Sequence, residues 1–115
     1  MDGPHGEALF KPQLVAEKIE VSVDADANIF DEDLEAPDNG FWIIQITANA
    51  AGYPKAKITP AGSATSRIAA LNEGTDLVAS ALYEFWVAAK EDDAINVRFS
   101  VAATVTVRVF FARSS

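Results

Sequence analysis

A chain of 115 residues makes one domain and leaves no room for a second; at this length roughly 65% of the unfolded surface is buried without metal or disulfide staples. Asp and Glu number 17 against 9 Lys and Arg, and the formal charge of -8 repels nucleic-acid phosphate unless cations segregate on one face, for which the sequence shows no cluster. Cysteine is absent, which excludes disulfides, thiolate nucleophiles and thiolate metal ligands, and no apolar run approaches the ~20 residues of a membrane span.

The N-terminal MDGPHGEALFKPQ has neither a basic stretch nor an apolar core of signal-peptide type, so the sequence predicts synthesis in a cytoplasm. Residues 1–17 read as an arm: Gly3, Pro4, Gly6 and Pro12 punctuate a segment whose apolar anchors are Leu9, Phe10, Leu14 and Val15. Such an arm either folds back along its own domain or lies on a neighbouring subunit by strand addition. Residues 18–115 form the domain proper. From Lys18 to Phe30, Ile19, Val21, Val23, Ala25, Ala27 and Ile29 alternate with polar residues, which predicts one long half-buried strand. The acidic DEDLEAPDNG that follows predicts a solvated loop closing in a turn at Gly40.

Further strands are expected over Phe41–Asn49, Lys55–Thr59 and Arg67–Leu71, with a tight turn at Asn72–Thr75. Leu77, Val78, Ala81 and Leu82 also suit one helical turn, against which strand or irregular structure is the reading taken for Leu77–Leu82. Strands then run over Tyr83–Ala89, Ile95–Ser100 and Thr104–Ala112, the first two joined by a turn at Glu91, Asp92 and Asp93. About seven or eight short strands without βαβ alternation predict an all-β fold, an antiparallel β-sandwich of jelly-roll type in preference to an immunoglobulin-type sheet pair or a closed barrel.

Chemistry is sparse. Asp24, Asp26, Asn28, Glu32 and Glu35 fall on the oxygen-ligand positions of a calcium loop, but Ile29 stands where the sharp turn needs glycine and no helices flank the segment, so strand alternation explains these residues better. His5 is the one histidine and sits in the arm, so no Ser-His-Asp triad or histidine metal pair assembles within a chain. Carboxylate pairs such as Asp92 with Asp93 lie in turns, with no apolar pocket to separate their pKa values. Neither a phosphate-binding glycine loop nor a nucleophile elbow is present. No enzyme, cofactor or metal site is expected.

The polar faces of the strands say more. If Trp42, Ile44 and Ile46 face the core, Phe41 and Ile43 stand on the other side with Gln45 and Thr47; if Tyr83, Phe85 and Val87 face it, Trp86 stands opposite. In the last strand Val105, Val107, Val109 and Phe111 point one way and Phe110 the other, beside Thr106 and Arg108. Large apolar residues among polar neighbours mark either a face covered by the chain's own arm and loops or a contact surface. Leu9, Phe10, Leu14, Phe41, Ile43, Trp86 and Phe110 are the candidate partner-binding residues.

Tyr83-Glu84-Phe85-Trp86-Val87, the acidic turn, Ile95-Asn96-Val97-Arg98-Phe99-Ser100 and Ala103-Thr104-Val105 resemble the closing strands of tailed-phage head decoration, or cement, proteins with jelly-roll folds. The likeness spans residues 67–112, with Asp92-Asp93 standing where a Gly-Asp turn is expected. It implies a structural protein on the outer surface of the virion that binds the major capsid protein, clamps adjacent subunits and forms a homo-oligomer, a trimer ahead of a dimer. The alternative is a carbohydrate- or receptor-binding sandwich of a tail fibre or adhesin, with Trp42, Trp86 or Tyr53 stacking on sugar rings.

Overall fold

A computed structural model describes residues 11–114; His5, Leu9 and Phe10 lie outside the described residues. The strands are β1 Gln13–Val23, β2 Leu34–Glu35, β3 Gly40–Ala48, β4 Pro54–Thr59, β5 Arg67–Ala70, β6 Tyr83–Ala89, β7 Ala94–Phe99 and β8 Ala103–Arg113. They form two antiparallel four-stranded sheets, ordered β1-β8-β3-β6 and β2-β7-β4-β5, which pack as a sandwich. β1 pairs with β8, β2 with β7, β3 with β6 and β4 with β5, as in one long hairpin; rolling that hairpin up brings β8 beside β3 and β7 beside β4. This order is consistent with a jelly roll.

Period-two alternation builds the core. Trp42, Ile44 and Ile46 of β3, Val105, Val107, Val109 and Phe111 of β8, and Ile95, Val97 and Phe99 of β7 are all buried, and Trp42 meets Phe111 edge-on with ring centroids 4.9 Å apart. Gly40 lets β3 start against the end of β8: a Cβ there would stand 2.0 Å from the Ala112 carbonyl oxygen. The turn between β6 and β7 is fixed by its own chemistry. Asp92 adopts φ 70°, and the Asp93 carboxylate accepts from the backbone N–H of Lys90 at 3.0 Å and of Ala61 at 2.9 Å. Those bonds, that from Lys90 foremost, hold its pKa below the usual 3.8 and tie this turn to the β4–β5 loop.

β3 through β8 lie close to their expected bounds, whereas the first third departs from expectation. β1 ends at Val23, not Phe30, and begins at Gln13, so residues 13–17 of the expected arm belong to its ladder with β8. Two β-bulges interrupt β1, the second inside the expected alternation, and beyond Val23 the chain turns, with Asp26 at φ 61°. One extra residue sits between Leu14 and Ala16 and another between Lys18 and Val21, where Glu20 adopts φ 48° and donates its N–H to Thr106 Oγ1 at 3.0 Å. A bulge reverses the facing of what precedes it, so Ile19 is exposed while Val21 and Val23 pack against the core. The acidic loop is not uniformly solvated either: Leu34 and Ala36 are buried, and Leu34–Glu35 forms β2 against β7. Leu77–Leu82 is irregular, anchored by buried Leu77, whose N–H donates to the Gly52 carbonyl at 2.7 Å.

Candidate binding face

Register turns scattered apolar residues into a row. On the outer face of the β1-β8-β3-β6 sheet, Leu14 lies opposite Phe110, Phe110 opposite Ile43, and Ile43 opposite Trp86, so one apolar residue from each strand forms a line across the sheet. Phe41 stands beside the row, its ring centroid 5.7 Å from that of Trp86. Leu14 is 52% exposed and Trp86 57%, whereas Ile43 at 4% is covered by its neighbours in the row. Five of the seven residues expected from sequence to bind a partner thus meet on one surface; the other two, Leu9 and Phe10, lie outside the described residues.

A polar row runs alongside. Glu17 of β1, Arg108 of β8, Gln45 of β3 and Glu84 of β6 are successive cross-strand neighbours. Arg108 Nε donates to the Glu17 carboxylate, and Gln45 Nε2 donates to Glu84 Oε1 at 3.0 Å. The indole N–H of Trp86 donates to Glu84 Oε2 at 2.9 Å, which fixes the ring's orientation. Both bonds favour the ionised carboxylate, that from Gln45 more, and hold the Glu84 pKa below its ordinary 4.5. Lys11, Pro12, Ile43, Gln45, Glu84, Trp86 and Phe110 enclose an open hollow of about 400 Å³ between the two rows. Its chemistry is an apolar floor with an oriented indole, a carboxylate and an amide at one side. That combination suits recognition of a protein surface or a sugar ring. This polar row was not foreseen from sequence, because its members come from four strands and only register aligns them.

The opposite outer face, on β2-β7-β4-β5, is built differently. Lys55 and Lys57 of β4 stand next to Arg98 and Asn96 of β7. Asp26 Oδ1 accepts from Lys55 Nζ at 2.7 Å, which with its hydrogen bond raises the Lys55 pKa above 10.5. Asn96, 4% exposed, donates to Asp33 at 2.7 Å and accepts from Arg98 Nε at 2.9 Å, while Arg98 also donates to the Asp26 carbonyl. The carboxylate that fitted a calcium-loop position is thus engaged by a lysine, and among the described residues no three His, Asp or Glu side chains gather as a metal site. Sequence showed no grouping of cations; the register places three of them, Lys55, Lys57 and Arg98, on this face, two of them bonded to the Asp26 segment.

Of the aromatic residues considered for sugar stacking, Trp42 is excluded: it is 1% exposed, within the core. Tyr53 is half-buried beneath Lys55, whose Nζ lies 5.5 Å from the ring centroid. Trp86 alone of the three presents an open face. No protein-family model matches the chain, and no curated protein matches it.

Proposed function

We propose that this chain is a non-enzymatic virion structural protein that binds the outer surface of a phage capsid and clamps adjacent major capsid subunits, as the resemblance of its closing strands implies. The observation that supports this most is the row Leu14, Phe110, Ile43 and Trp86, an apolar line across the sheet in which Leu14 and Trp86 stand open and Ile43 is buried. Such a surface is what a partner interface needs at its centre, with the Glu17–Arg108 and Gln45–Glu84 pairs forming a polar rim. Around the row Lys11 and Arg108 stand beside Glu17 and Glu84, in a chain of formal charge -8. The acidic remainder suits the exterior of a shell rather than the DNA-facing interior.

The test is co-sedimentation of the purified chain with expanded, undecorated capsids of its source phage, followed by heating of the complex. Saturable, stoichiometric binding and a higher temperature of capsid rupture are the expected results. Failure to bind at any concentration overturns the reading. A carbohydrate-binding module is the second reading, favoured by the Trp86 ring held beside Glu84 and Gln45. A glycan array separates the two: saturable glycan binding lost in Trp86→Ala, without capsid binding, selects the second.

A further inference from the structure

Each sheet of an open sandwich has two edges, and three of the four here are protected against pairing with another chain. β1 is interrupted by two bulges, β2 has 2 residues and β5 has 4. Short or bulged edges are what prevent strand addition. β6 differs. Its 7 residues pair with β3 in unbroken register, they include no proline or lysine, and among the described residues no strand lies on its far side. The core-facing Tyr83, Phe85 and Val87 of this edge are only half-buried.

We propose that β6 is a homodimer edge, which pairs antiparallel with β6 of a second copy about a two-fold axis at Trp86. The sequence of the strand is self-complementary in that register. Phe85 lies opposite Val87 of the second copy, Tyr83 opposite Ala89, Glu84 opposite Ala88, and Trp86 opposite Trp86. Phe85 with Val87 and Trp86 with Trp86 are favourable aromatic–β-branched and aromatic–aromatic cross-strand pairs, and no like charges face each other. This register is also the one that pairs all 7 residues of the strand; centring on Glu84 sets two carboxylates face to face. A two-fold pairing of this kind is closed and isologous, so it ends at the dimer. It joins the two sheets into one of eight strands and sets the apolar row of each copy end to end with that of the other, Trp86 against Trp86. The inference stands apart from the capsid reading, and a doubled row presents two linked docking surfaces to any repeating partner.

The register is tested by charge placement at Ala88, which is exposed on the outer face. Sedimentation velocity over a concentration series gives the dimer affinity, and circular dichroism checks that each variant retains its β-structure. Wild type dimerises reversibly. Ala88→Glu sets a carboxylate against Glu84 of the second copy at two symmetric places and weakens the dimer about fivefold, whereas Ala88→Lys strengthens it. Glu84→Lys combined with Ala88→Glu restores the affinity. A wild-type chain that stays monomeric at all concentrations, or a dimer whose affinity ignores these charges, overturns the proposal.

Discussion

The row Leu14, Phe110, Ile43, Trp86 on one outer face and the row Arg98, Lys55, Ala70 on the other occupy equivalent places, each crossing its sheet through register-matched neighbours. Their chemistry diverges. On the second face the segment around Asp26 runs along the edge of β7, through backbone bonds from Asp26 and Ile29 to Phe99 and Val97, and delivers a carboxylate to Lys55 and a carbonyl to Arg98. The polar groups there bond to one another. On the first face only the polar row is internally bonded, while Trp86 and Leu14 remain more than half exposed. The second face keeps a single large apolar residue open, Ile68 opposite Lys57 at 57% exposure, whereas the first gathers several into one row, and exposed apolar area is stabilised by being covered.

The largest expected difference between the faces is in binding. Trp86→Ala removes the most exposed residue of the row and lowers capsid affinity at least ~30-fold, the ~2 kcal/mol of an interface hot spot, while thermal stability changes little; quantitative co-sedimentation beside a melting curve checks both. Asn96→Ala produces the reverse pattern. It leaves Asp33 and Arg98 without their shared partner and costs about 1–3 kcal/mol of stability in urea denaturation, with capsid binding unchanged. Asp26→Asn is milder, below ~1 kcal/mol, because Asp26 is half exposed and its bond to Lys55 is screened by salt; the difference from wild type shrinks further in high salt.

The smallest effect is a pH dependence specific to the first face. Glu84 has a folded-state pKa below its ordinary 4.5, so its ionised form stabilises the fold above that value, and the contribution is lost as pH falls through the depressed folded value. Glu84→Gln flattens this part of the acid limb in a stability-versus-pH titration and leaves the neutral plateau nearly level. Asp93, lowered from 3.8 by backbone donors, supplies a further contribution of the same sign that Glu84→Gln does not touch.

The difference between the faces was partly legible in the sequence. Strict alternation in β3, β6 and β8 assigns each side chain to a face, so Phe41, Ile43, Trp86 and Phe110 stand out as apolar residues on the polar side. Alternation does not give register, and for that reason neither the alignment of these residues with Leu14 nor the polar row beside them was visible. In β1 the period itself breaks, because two extra residues are absorbed in bulges and no glycine or proline in Gln13–Val23 marks either. The loop after it hides Leu34 and Ala36 among acidic residues that read as solvated. Asn96 reads as an ordinary surface residue; its burial depends on Asp33, 63 positions away, and on Arg98 lying over it.

Co-sedimentation with undecorated capsids of two variants, one on each face and each checked for β-structure by circular dichroism, shows which face binds. Trp86→Ser with Phe110→Ser alters the apolar row, and Lys57→Glu alters the charged face at a comparable position. Saturable binding by wild type and by Lys57→Glu, and its loss in the row variant, are the expected results. Binding that survives in the row variant but disappears with Lys57→Glu contradicts the account.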